Sequence, residues 1–168
     1  MLRDIAADYL LPDRQYDSVT DIDLDDLEDH GYQALLVDLD QTLTGYGDDE
    51  LSDDIRDWYQ EAADRFQVRV LSNDSLDGRR DVFEDQLDAD IVDTAYRKPL
   101  PGSFRDALQD VEAEKDETLV IGDTPLTDTV GGNLYGIDTA QVEPQDGDEP
   151  REIAFGRLIG QWLQDLVR

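Results

Sequence analysis

Ala34-Leu35-Leu36-Val37-Asp38-Leu39-Asp40-Gln41-Thr42 is the stretch that decides the fold. Four consecutive apolar residues without polar alternation are what a strand buried on both faces requires, and such strands belong to parallel sheets covered on each side. Two carboxylates follow at once, one residue apart. In an extended chain Asp38 and Asp40 would point to opposite faces, so a bend is needed to bring both to one site. One could then attack phosphorus while the other handles a proton. A lone Asp-x-Asp carries little weight here, since Asp21-Ile22-Asp23 is another. The position directly after a buried strand sets Asp38 and Asp40 apart.

Outward from this strand, apolar runs alternate with helical patterns. Asp23 to His30 reads as a short helix stopped by Gly31. Thr44 to Glu50 reads as a loop, followed by Ile55, Trp58, Tyr59, Ala62 and Phe66 at helical spacing. Strands are expected at Val68–Leu71, Asp90–Thr94, Thr118–Ile121 and Ile137–Val142. Helices are expected at Arg79–Leu87, around Phe104–Val111 and at Leu126–Tyr135. Phe155, Leu158, Ile159, Trp162, Leu163 and Leu166 share one face of a last helix, expected to pack on the sheet. The pattern predicts an α/β fold: a doubly wound, Rossmann-like parallel sheet of about five strands with helices on both faces, in one domain over residues 1–168. Ligands of such sheets bind beyond the carboxyl ends of the strands.

Composition narrows the setting. The chain has 43 acidic against 14 basic residues, a net charge of −29, and no cysteine. Disulfides and thiolate metal sites are excluded. So dense an acidic surface is hydrated and soluble where molar salt screens its self-repulsion, and the expectation is the cytoplasm of an extreme halophile. It argues against nucleic acid, which needs a basic footprint. No apolar run is long enough for a transmembrane segment, and the first residues lack the uninterrupted apolar stretch of a secretory signal.

The residues after each predicted strand are the candidates for chemistry. Asp38 and Asp40 follow the first and Ser72-Asn73 the second. Lys98, one of only two lysines, precedes Pro99 after the third, and Gly122-Asp123, with Asp128 beyond, follows the fourth. Hard carboxylate oxygens with room for water and phosphate suit Mg²⁺. A hydroxyl, an amide and a fixed cation suit phosphoryl transfer, where positioning and charge neutralisation do most of the work. The single histidine, His30, beside Gly31 at a helix end, is expected to be structural, so no histidine mechanism is available.

Asp38-Leu39-Asp40-Gln41-Thr42, Ser72, Lys98 and Gly122-Asp123 with Asp128 stand in the order of the four motifs of the haloacid dehalogenase (HAD) superfamily, and the chain resembles that superfamily. Successive intervals of 34, 26 and 25 residues hold one strand-helix unit each, which implies a member without a cap domain. The finer resemblance is to the YqeG-like, subfamily IIIA phosphatases. It runs through Leu11-Pro12-Asp13, Ser18-Val19, Asp21-Ile22, Leu36 to Leu43, Ser72-Asn73, Ala95 to Pro99, Phe104 and Gly122 to Asn133, with Gln41 and Thr124 departing from the family pattern. The resemblance implies that Asp38 is the nucleophile and that Asp40 is the general acid and base, its carbonyl binding Mg²⁺. It makes the carboxylates of Asp38 and Asp123 metal ligands. Ser72, Asn73 and Lys98 would bind the phosphoryl group, Asp128 would hold Lys98 or a water on the metal, and Thr42 would fix the loop. The partner implied is a phosphorylated small molecule or a lipid headgroup such as a glycerophosphate lipid, with room for peripheral membrane contact. Three rivals remain. A receiver domain would place its Lys-Pro after its last acidic strand end, which the order here opposes. A catalytically silent scaffold and a phosphotransferase sharing the same intermediate are the others.

Overall fold

A computed structural model describes residues 2–168 except 74, 75, 77, 93–96, 110 and 146–150. Among the described residues six strands form one parallel sheet: β1 Arg14–Tyr16, β2 Ala34–Asp38, β3 Gln67–Leu71, β4 Ile91–Val92, β5 Thr118–Gly122 and β6 Asp138–Val142. Their order is β1-β6-β5-β2-β3-β4. The chain winds from β2 outward through β3 to β4, then returns to place β5 on the other side of β2. Between β2 and β5 the winding reverses, and in open α/β sheets this is where ligands bind. The register pairs Ala34 with Thr118 and Val37 with Ile121, so the two strands end level. The side-chain alternation of β2 serves both faces. Leu35 and Val37 join a large core with Leu27, Trp58, Tyr59, Phe83 and Leu119, while Leu36 turns to a smaller one with Phe104, Ala107, Val120 and Ile137. This is why the run is continuously apolar.

Helices cover both cores: α1 Leu2–Leu10, α2 Leu24–Asp29, α3 Asp53–Arg65, α4 Arg80–Leu87, α5 Pro101–Ala107, α6 Val130–Tyr135 and α7 Arg151–Val167. Asp23 caps α2, accepting from the amides of Asp25 and Asp26, and Gly31 leaves it at φ +88, a backbone that glycine adopts freely. The doubly wound fold is as expected, and the differences are local. The sheet gains β1, three residues too short to show a period. Residues 125–129 form a wide π-type turn before α6. The strand expected at 90–94 is described only at Ile91–Val92, its last residues and Ala95 lying outside the described part.

The orientation of α7 corrects the sequence expectation. Its apolar face points outward: Phe155 is 64% exposed, Trp162 62% and Leu158 61%, with Leu166 and Ile159 also exposed. Arg157, Gly160 and Gln164 face inward instead. Gly160 makes the close approach possible, since a Cβ there would stand 2.8 Å from Pro125 Cβ. Gln164 donates to the Leu10 carbonyl and to Gln141 Oε1, both at 2.8 Å. Helical periodicity identifies an apolar face but not the direction it points. Here buried polar partners, which must be paired, turn the helix. Among the described residues no helix is long and apolar enough to cross a membrane.

Candidate active site

The bend that Asp38 and Asp40 require is a tight turn folded around the buried Leu39. The amides of Leu43 and Thr44 both point at the Leu39 carbonyl, at 2.9 and 3.2 Å, and Gln41 N donates to the Thr44 carbonyl at 2.7 Å. Gln41 accepts φ +66 to close it, an uncommon conformation for a residue with a Cβ. Thr42 Oγ1 donates to Asp38 Oδ2 at 3.4 Å, tying the turn to the end of β2.

The structure brings Asp38, Lys98, Asp123 and Asp128 together, all buried. Lys98 Nζ sits 2.5 Å from Asp38 Oδ1 and 2.5 Å from Asp128 Oδ1. Asp38, Asp123 and Asp128 each offer an oxygen within 4.8 Å of the others. Asp128 is fixed by the turn after β5: its Oδ2 accepts from the Thr124 amide at 3.1 Å. Gly122 is required beneath it, since a Cβ there would lie 2.3 Å from Asp128 Cγ. Asn73 holds Lys98 from behind, its Oδ1 accepting from Lys98 N at 2.8 Å and its Nδ2 donating to Lys98 O at 3.2 Å. Its amide is thus engaged at both ends. The Asp40 side chain lies outside the three-carboxylate group. Its Oδ2 accepts from Ser72 Oγ at 3.2 Å, and Arg79 Nη1 is 3.5 Å from its Oδ1. His30 is remote, exposed at the end of α2 against Asp26.

Electrostatics follow from this crowding. Burial pushes the Asp38 carboxyl well above the usual range, and Asp128 and Asp123 add to the rise while Lys98 opposes it. Asp123 is pushed up to about 6, first by burial and then by Asp128, with Arg157 and Lys98 opposing. For Lys98 burial would lower the pKa, but the neighbouring Asp128 and Asp38 outweigh it and raise it. A set of carboxylates resisting simultaneous ionisation beside a permanent cation is what a hard dication relieves. The donor set fits Mg²⁺: Asp38 and Asp123 stand at the ends of adjacent strands, and a cavity of about 430 Å³ beside them leaves room for water and substrate.

Tyr46, Arg97 and Arg157 also line the cavity, and none of them was among the candidate residues read from the sequence. Arg157 reaches in from α7, its Nε donating to Asp123 Oδ2 at 2.9 Å and its Nη2 lying 2.7 Å from the same oxygen. The signal nearest to it is Gly160, where the helix passes close to Pro125. The Gln41 carboxamide is also buried at the cavity wall, and among the described residues its oxygen and nitrogen have no hydrogen-bond partner.

Comparison with known proteins agrees with this geometry. A family model described as HAD-hydrolase-like matches residues 95–154. The protein named Probable phosphatase YqeG of Bacillus subtilis (strain 168) is 29% identical over 152 residues, covering 90% of this chain and 87% of that one. Among solved structures, the magnesium-bound HAD-hydrolase YfnB from Bacillus subtilis superposes with a TM-score of 0.56 at 16% identity, over 73% of this chain and 91% of its own. A HAD-like family hydrolase predicted in Porphyromonas gingivalis gives 0.55 at 14% identity, over 77% and 98%. At such identities these two speak for the fold alone. Four motifs gathered at one end of the sheet, together with a match to YqeG that runs nearly end to end, support a YqeG-like phosphatase of the haloacid dehalogenase type.

Proposed function

We propose that this HAD-family phosphatase hydrolyses phosphomonoesters through an aspartyl-phosphate on Asp38, with Mg²⁺ held by Asp38, Asp123 and the Asp40 carbonyl. The observation that carries the reading is Lys98, a buried ammonium bridging Asp38 and Asp128 at the switch point of the sheet. Mg²⁺ would neutralise phosphoryl oxygens and lower the cost of bringing an anion to a carboxylate. Asp38 Oδ attacks phosphorus and the P–O bond to the leaving group breaks. Asp40 gives its proton to the departing alkoxide, then takes one from water as that water attacks phosphorus. The bond between Asp38 and phosphorus breaks, and inorganic phosphate and the free carboxylate result. Lys98 and Ser72 hold the transferring phosphoryl group, Asn73 holds Lys98 in place, and Asp128 aims its ammonium. Thr42 steadies Asp38.

Residues 1–168 act in this reading as one capless domain, in a cytoplasm at molar salt. The substrate proposed is a glycerophosphate lipid. Gly156 and Arg157 line the cavity, and the outer face of the same helix carries Phe155, Leu158 and Trp162, against which acyl or isoprenoid chains would lie. The net charge of −29 opposes an anionic lipid surface except where salt screens it, so this contact requires high ionic strength. The test is phosphate release from an aryl phosphate, sugar phosphates and a glycerophosphate lipid in molar KCl with Mg²⁺. Expected is release that EDTA stops and Mg²⁺ restores, and that Asp38→Asn lowers by on the order of 10⁴-fold. Release surviving full chelation, or near-normal turnover in the variant, contradicts the proposal.

A further inference from the structure

Arg157 belongs to none of the motif residues, yet its guanidinium is among the most deeply buried charges of the site, with 7% of the side chain exposed against 2% for Asp123. As a fastening for α7 the pair is poorly suited. Desolvating both charges offsets their attraction, and an apolar pair of the same volume would serve as well. The helix is already held by Gln164 and by the contact of Gly160 with Pro125. The contact geometry suggests a different purpose. Nε of Arg157 donates to Oδ2 of Asp123, Nη2 lies 2.7 Å from the same oxygen as an ion-pair contact without hydrogen-bond geometry, and Thr124 Oγ1 donates to that oxygen at 3.1 Å. None of these groups engages Oδ1. A carboxylate gripped by one oxygen cannot turn about its Cβ–Cγ bond, so the other oxygen keeps a single direction. Asp123 stands among the carboxylates of Asp38 and Asp128.

We propose that Arg157 is a positioning residue that clamps Oδ2 of Asp123 and so presents its second oxygen to the metal, making α7 a working part of the active site rather than a cover. The inference rests on the metal reading above. Groups that orient a metal-bound carboxylate act on affinity about as strongly as some ligands do, with losses of about 10–100-fold when they are removed. The guanidinium fork fits this task where an ammonium does not, because two nitrogens fixed in a plane define an orientation and a point charge does not.

The experiment is a calorimetric Mg²⁺ titration of metal-free full-length protein in molar KCl, comparing wild type, Arg157→Gln, Arg157→Lys and Gln164→Ala. Circular dichroism in the same buffer establishes that each is folded. Expected is a loss of about 10–100-fold in Mg²⁺ affinity for Arg157→Gln, and a loss nearly as large for Arg157→Lys, whose point charge defines no orientation. Gln164→Ala, which loosens α7 without touching Asp123, should bind as wild type does. Equal losses in Arg157→Gln and Gln164→Ala would make Arg157 a mere strap and overturn the proposal. So would unchanged affinity in Arg157→Gln, and so would tighter binding, the mark of a guanidinium competing with the ion. Wild-type protein that binds no Mg²⁺ overturns the metal reading itself and the inference with it.

Discussion

Arginine meets carboxylate at both ends of the sheet, with opposite consequences. At the amino end Arg65 contacts Asp25, Glu28 and Glu61 at 2.5, 2.6 and 3.1 Å, but those carboxylates are 84, 50 and 63% exposed. At the carboxyl end Arg157 and Lys98 meet Asp123, Asp38 and Asp128, all but closed to solvent. The amino end has the roomier groove, about 620 Å³ lined by Glu28, Tyr32, Gln33, Arg65 and Gln67. It is wide open, and its carboxylates Glu28 and Asp64 are exposed. Residue type and cavity size therefore do not mark the site. Burial of like charges beside a fixed cation does.

If that contrast is right, substitutions at the two ends differ by an order of magnitude in effect. The largest effect is the loss of turnover in Asp38→Asn, with the fold kept. Next comes Lys98→Met, which leaves Asp38 and Asp128 buried without their ammonium. Denaturant unfolding should show a loss of about 3–5 kcal/mol, and a loss under about 1 kcal/mol would put Lys98 with the surface pairs. A pH effect follows. Asp123, raised to about 6, holds its proton in the folded state to a higher pH than in the unfolded chain. The folded form thus binds more protons between about pH 4 and 6, and metal-free protein should lose stability as pH rises through that window. Mg²⁺ needs the ionised form, so its affinity, read by calorimetry, should fall roughly tenfold per pH unit below 6. An affinity flat from pH 5 to 7 would contradict the placement of Asp123. The smallest effect is Arg65→Gln, expected within about 1 kcal/mol and shrinking as KCl rises. A loss comparable to that of Lys98→Met would erase the contrast between the two ends.

The same contrast separates what was legible in the sequence from what was not. The carboxyl end could be read because continuous apolar runs mark β2 and β5 as buried strands, and whatever follows a buried strand in a parallel sheet lies at the ligand end. Asp38, Asp40, Ser72, Lys98, Asp123 and Asp128 were found on that logic, and the structure gathers all but the Asp40 and Ser72 side chains into one buried group, those two pairing with each other beside it. Arg157 could not be found so. It stands on a helix far along the chain, and helical spacing selects Phe155, Leu158, Trp162 and Leu166 as the buried face. The structure chooses the other face because Arg157 and Gln164 have buried partners and Gly160 has none of the bulk that would hold Pro125 away. Periodicity registers apolar area, while pairing of buried polar groups is a tertiary fact. The turn at 125–129 was hidden for a related reason: its shape serves Asp128, whose carboxylate takes the Thr124 amide that a regular helix start would leave to water.

The central claim is that Asp38 is the nucleophile. Its most direct test is chemical: full-length protein is mixed with substrate and Mg²⁺ in molar KCl, quenched within one turnover and reduced with borohydride, and the peptide carrying Asp38 is sequenced by mass spectrometry. The account predicts reduction of an acyl phosphate to homoserine at position 38, absent without substrate and absent in Asp38→Asn. An unmodified Asp38 during active turnover, or the label on Asp40, Asp123 or Asp128 instead, would contradict it.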